Sequence, residues 1–174
     1  MKPNFDKGKN SFNFEMPFQF ACASFDILIN TLSMTKEFPF VLLADDDPDD
    51  RDFFCAGMQR LFPKVEVRSF QDGDELLEFL NSSRLQSLPG CILLDYKMPR
   101  LSGPEVLRAT GIGTPYDHVP KIVWSTSQRQ IDIDECLRLG ATRFAIKPES
   151  GAQLDNLIRS LGCYITPQNN LIFD

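Results

Sequence analysis

From Phe38 onward, solid apolar runs alternate with stretches in which apolar residues recur every three or four positions. FPFVLLA (38–44) predicts a strand buried on both faces, CILLD (91–95) a further buried strand, KIVWS (121–125) and RFAIKP (143–148) two more strands, and VEVRSF (65–70), which alternates at first, the remaining one. Between them the helical period takes over. Phe54, Met58 and Leu61 lie one and two turns apart on a helix that opens at Pro48 and ends before Pro63. Leu76, Leu77 and Leu80 form the inward side of a second helix within QDGDELLEFLNS (71–82), and GPEVLRAT (103–110) is a short third. Ile133, Cys136 and Leu137 are the apolar side of a fourth within QIDIDECLRLGA (130–141), stopped by Gly140. Leu154, Leu157, Ile158 and Leu161 face inward from a fifth within GAQLDNLIRSLGCY (151–164).

Five strands alternating with five helices predict an α/β fold, a doubly wound parallel sheet with right-handed crossovers and helices on both faces. Such sheets gather their chemistry in the crevice at the carboxyl ends of the strands. There the first strand ends in Asp45-Asp46-Asp47, the third in Asp95, the fourth in Ser125 and the fifth in Lys147-Pro148. Six of the eight residues from Asp45 to Asp52 are aspartates. Two carboxylates sharing a site raise each other's pKa, so this crowding calls for a positive partner. A hard dication such as Mg²⁺, which takes oxygen ligands and keeps waters for incoming phosphate oxygens, would relieve Asp45, Asp46 and Asp95, with Lys147 neutralising the far side. The chemistry that fits is phosphoryl transfer to a carboxylate. Asp95 is the natural nucleophile because it alone ends the central strand, and Ser125 can hydrogen-bond a phosphoryl oxygen once one is present.

Composition narrows the picture. At 174 residues, 43% apolar and 24% charged, the chain suits one soluble domain with its own core. A net charge of −6 without Lys/Arg clusters argues against nucleic-acid partners. No stretch reaches the ~20 apolar residues of a membrane span. Cys22, Cys55, Cys91, Cys136 and Cys163 are odd in number and lack CxxC spacing, so they are taken as small buried hydrophobes in a reducing cytoplasm. A single histidine, His118, leaves no inventory for a Cys/His zinc site or a Ser-His-Asp triad. Residues 1–33, rich in Phe with no period, are read as a disordered or non-native leader, 34–165 as the domain and 166–174 as a tail. A chain beginning at Met34 should then fold as stably as the whole.

The acidic pair Asp45/Asp46, LLDYKMPRLSG around Asp95, Ser125 thirty residues after Asp95 and Lys147-Pro148 fifty-two after it form an ordered set. With the strand–helix pattern between them, the chain from about Phe38 to Gly162 resembles the receiver domain of two-component response regulators, especially the stand-alone kind. The resemblance implies a flavodoxin-like five-stranded sheet of order 2-1-3-4-5. It implies that Asp95 is phosphorylated by a histidine kinase or phosphotransfer protein, and that Mg²⁺ is held by Asp46, by Asp45 directly or through water, by Asp95 and by the carbonyl of Lys97. Ser125 would be the switch hydroxyl, Phe144 the aromatic that reorients with it, and Lys147 the contact to the phosphoryl group. Pro148 follows it, in the family often through a cis peptide. LLADDDPDDR and the long segment before the fourth strand look like the bacterial group that partners bacteriophytochrome-type kinases. Ser125 stands where Thr is commoner and Phe144 where Tyr is. Lys97, two residues after the acceptor, either holds the phosphate or hinders attacking water.

Several residues carry plainer readings. Asp47, Asp49, Asp50 and Asp52 are taken as helix-start charge, Trp124 as strand packing, Tyr96 as loop packing and His118 as an exposed loop residue. A calcium loop fails in DDDPDDRDFFCA for want of Gly at its sixth position and Glu at its twelfth. A switch that modifies only itself, acting through the fourth helix, fifth strand and fifth helix on a downstream protein or a second copy, is the leading expectation. The alternatives are a pseudo-receiver scaffold working by contact alone and a phosphatase. The latter would want an acid where Lys97 stands.

Overall fold

A computed structural model of the chain describes residues 40–82 and 87–166. The expected leader, Cys22, the tail after Thr166 and the proposed start at Met34 lie outside the described residues. The described residues all fall within one compact unit. The strands are β1 (Val41–Ala44), β2 (Val67–Phe70), β3 (Cys91–Asp95), β4 (Lys121–Ser125) and β5 (Arg143–Ile146). The helices are α1 (Pro48–Leu61), α2 (Gly73–Asn81), α3 (Gly103–Ala109), α4 (Gln130–Arg138) and α5 (Gly151–Ile165). The strands form one parallel sheet of order β2-β1-β3-β4-β5, as the resemblance implies.

Solid apolar strands follow from burial on two faces. Val41, Leu43, Leu93 and Trp124 face the core shared with α1 and α5, where Phe54, Met58, Leu154 and Ile158 meet them. Leu42, Ala44, Leu94 and Val123 face the other core, where Leu76, Val106 and Cys136 lie. Gly57 sets the seam between α1 and α5, since a Cβ there would stand 2.6 Å from Ile158 and 2.8 Å from Leu154. Helix entries are capped locally: Asp47 accepts from the Asp49 N–H, Asp72 from Glu75 and Ser150 from Gln153. Gly140 ends α4 with φ +94, a conformation that suits glycine.

Three expectations are corrected. Leu137 is 47% exposed, because α4 turns Cys136 to the core and its neighbour, about 100° round the helix, therefore points out. The cysteines are not uniformly buried: Cys91 and Cys136 are, Cys55 is half-buried and Cys163 is exposed. Every peptide bond among the described residues is trans, the one before Pro148 included, so the cis join common in the family is not adopted here.

Candidate functional site

Four parallel segments deliver the predicted residues to one rim. β1 runs directly into Asp45, whose N–H bonds the Phe70 carbonyl oxygen at 3.1 Å and whose side chain is fully buried. Its Oδ1 accepts the Asp47 N–H at 3.0 Å, and the Arg51 guanidinium of α1 donates to the Asp45 carbonyl oxygen at 2.7 Å. Asp46, next along, is exposed. Asp95, at the end of the central strand, is 6% exposed, and its Oδ2 accepts the Lys97 N–H at 2.9 Å. Ser125 ends β4 and is buried. Its Oγ accepts the Ser127 N–H at 3.1 Å, which leaves the hydroxyl proton free to donate elsewhere. Lys147 follows β5, and its N–H bonds the Ser125 carbonyl oxygen at 2.9 Å. The phosphoacceptor candidate, hydroxyl and lysine thus share adjacent strand ends.

Lys147 is the hub. Its Nζ lies 2.7 Å from Asp50 Oδ2, 2.8 Å from Asp45 Oδ2 and 3.0 Å from Asp95 Oδ1. The expectation placed Lys147 on the far side of the acids; the structure sets it between Asp45 and Asp95. Burial drives the Asp45 carboxyl up to about 6 against the pull of Lys147. Burial likewise raises Asp95, with Lys147 and the Lys97 N–H opposing and Asp46 assisting. The Lys147 ammonium is lowered by burial, but Asp45 and Asp50 outweigh that and hold it above the ordinary lysine range. One ammonium serves three carboxylates here.

The donor set fits a hard dication. Asp45 Oδ2 is buried and makes only an ion pair, without an aligned hydrogen bond. Among the described residues no three acidic, histidine or cysteine side chains close on one point. Mg²⁺ does not require that, since it binds through one or two carboxylates and retains several waters. Asp45, Asp46, Asp95 and the Lys97 carbonyl are the groups that could hold it.

The loop after Asp95 is fixed on two sides. A Cβ at position 103 would collide with the Asp95 carbonyl oxygen, so Gly103 lets α3 start against the end of β3, and its N–H bonds Tyr96 O at 3.2 Å. Arg100, at φ +63, ion-pairs with the α2 cap Asp72. Phe144 is half-buried and meets the Tyr96 ring edge-on, centroids 6.3 Å apart. Trp124 is packing, as expected, edge-on to Phe54 at 5.7 Å. His118 is exposed.

Two features escaped the sequence reading. Asp50 reaches Lys147 rather than water, and the signal was present: it sits four and eight residues before Phe54 and Met58, on the inward stripe of α1. Tyr96 does more than pack. Its hydroxyl donates to Asp132 at 3.1 Å. Asp132 also accepts from Ser127 Oγ at 2.8 Å and from both Nε and Nη2 of Arg129. The Arg129 guanidinium holds the Asp132 carboxyl down at about 2. The residue after Asp95 is thereby tied to α4, and no local motif announces it.

The response regulator receiver domain profile matches residues 41–159. The chain belongs to the response regulator receiver domain family. Among curated relatives of this receiver, the two-component response regulator ORR1 of Oryza sativa subsp. japonica is 31% identical over 125 residues. That alignment spans 67% of this chain and 52% of ORR1, so the chain spans about half the length of that relative. Two solved structures share the fold. RPA3017, described from red light signaling of R. palustris, is 27% identical at TM-score 0.64, covering 78% of this chain and 99% of that one. The bacteriophytochrome response regulator AtBRR is 28% identical at TM-score 0.61, covering 77% and 99%. The receiver family is a signalling module of two-component systems whose members work with histidine kinases or phosphotransfer proteins and bind Mg²⁺. Among the described residues no helix is long and apolar enough to cross a membrane.

Proposed function

We propose that this receiver is a phosphorylation-dependent switch in which Asp95 accepts a phosphoryl group from the phosphohistidine of a partner kinase or phosphotransfer protein. An Asp95 carboxylate oxygen forms the new P–O bond as the P–N bond breaks, and the electron pair leaves with the imidazole. Asp46, Asp45, Asp95 and the Lys97 carbonyl would hold Mg²⁺, which would supply electrostatic relief for the phosphoryl oxygens. Lys147 balances charge from the β5 side, and its placement beside Asp95 at 3.0 Å is the observation that carries the reading. Ser125 donates its free hydroxyl proton to a phosphoryl oxygen, a bond that exists in one state only and so shifts the loop after β4. Phe144 reorients with it.

Output runs through the surface of α4, β5 and α5, where Ile131, Leu137 and Ile146 are 69%, 47% and 44% exposed. Those apolar groups suit docking on a downstream protein or on a second copy of the chain. Intact-mass spectrometry after treatment with a small phosphodonor and Mg²⁺ tests the reading. Wild type gains one phosphoryl group, and Asp95→Asn or removal of Mg²⁺ abolishes it. A wild type that takes up nothing would leave a scaffold acting by contact alone.

A further inference from the structure

The three carboxylates around Lys147 are not equivalent. Asp45 and Asp95 end strands and have side chains 0% and 8% exposed, whereas Asp50 stands on the first turn of α1 and is 35% exposed. Asp45 and Asp95 also belong to the set that could hold a dication; Asp50 does not. The Lys147 ammonium donates a hydrogen bond to Asp50 Oδ2 at 2.7 Å and is ion-paired with Asp45 and Asp95. The start of α1 is itself held to β1 by Arg51 on the Asp45 carbonyl oxygen, so Asp50 is presented from a fixed place.

Once a dication draws on Asp45 and Asp95, Lys147 loses two partners to a like-charged neighbour that repels it. An unheld lysine would swing toward water, away from Asp95. We propose that Asp50 is a positioning residue that retains the Lys147 ammonium at the edge of Asp95 when the other two carboxylates turn to metal. This rests on the reading of Asp95 as phosphoacceptor. Lys147 acts there only if it stays within reach of the incoming phosphoryl oxygens. Asp50 therefore acts through Lys147 and not on the phosphoryl group.

Trp124, the single tryptophan, gives a readout independent of phosphorylation, because Lys147 Nζ lies 5.2 Å from its ring centroid. The experiment compares full-length wild type, Asp50→Asn, Asp50→Glu, Lys147→Met and the double variant Asp50→Asn/Lys147→Met. Each is titrated with MgCl₂ while Trp124 emission is followed, and each is then phosphorylated with phosphoramidate. At saturating Mg²⁺, Asp50→Asn changes the emission where Lys147 is present and leaves it unchanged in the Lys147→Met background. Phosphorylation of Asp50→Asn slows about tenfold, Asp50→Glu recovers most of the rate, and the double variant matches Lys147→Met. An Asp50→Asn emission change of equal size with and without Lys147, or no change at all, overturns the proposal. Should wild type take up no phosphoryl group while the emission cycle behaves as stated, the positioning role stands and the phosphoacceptor reading falls.

Discussion

The sheet carries a lysine at each end, half-buried Lys147 and buried Lys121, and their charges are met by opposite means. Lys147, at the carboxyl end, sits among three carboxylates. Lys121, at the amino end of β4 and only 2% exposed, donates to three backbone carbonyls, Tyr116 at 2.7 Å, Val119 at 3.0 Å and Asp117 at 3.3 Å. Charges raise the first lysine above its ordinary range, while burial, weakly opposed by Asp117, lowers the second. Carboxylates are exchangeable partners, able to turn to a metal or to take a phosphoryl group as an acyl phosphate. Carbonyl dipoles are fixed by the chain, so Lys121 pins the 111–120 loop to the sheet. The same residue type has exchangeable partners in one place and fixed ones in the other, which suits the first to the proposed chemistry and the second to architecture.

Swapping each lysine for an isosteric apolar residue breaks this comparison most sharply. Lys147→Met is expected to slow phosphorylation about a hundredfold and to lower stability by about 3 kcal/mol, since it strands buried carboxylates. At one fixed Mg²⁺ concentration the gain in urea unfolding should be larger for Lys147→Met than for wild type, because the ion no longer competes with an ammonium and binds more tightly. Lys121→Met leaves three carbonyls without their donor and should cost about 2 to 3 kcal/mol, with no rescue by Mg²⁺ beyond that seen in wild type. Equal rescue of both variants would erase the distinction. Gly103→Ala tests the carboxyl end sterically: a loss of about 2 kcal/mol in urea unfolding, with slower phosphorylation because the Asp95 carbonyl must shift. The smallest effect concerns a third buried ionic group, Asp132. Its folded pKa of about 2 lies below the unfolded value, so its contribution is full above that unfolded value and lost as pH falls through about 2. The stability gap between wild type and Asp132→Asn should therefore close as pH drops from about 4 toward 2.

β1, β3 and β4 were legible because burial on two faces forces solid apolar runs, and together with the shorter run of β5 their ends named Asp45, Asp95, Ser125 and Lys147. What the pattern hid were partners chosen by tertiary approach. Lys121 opens KIVWS like any strand-entry charge, and only the returning loop reveals its carbonyl cradle. Asp50 resembled its solvated neighbours Asp49 and Asp52 until the helix phase set it beside Phe54. Tyr96 and Asp132 are 36 residues apart and meet only because β3 and β4 are adjacent. Leu137 erred the other way, an apolar residue placed inside by type while the rotation of α4 turned it outward.

The two buried thiols fall on opposite faces of the sheet, Cys91 in the core under α1 and α5, Cys136 in the core under α4. Burial pushes them up to about 12 and about 11, so neither offers thiolate to an alkylating reagent while its layer stays shut. Their labelling rates are accordingly two separate clocks, one for each layer. A phosphoryl group that loosens α4 while leaving α1 and α5 in place would speed one and spare the other.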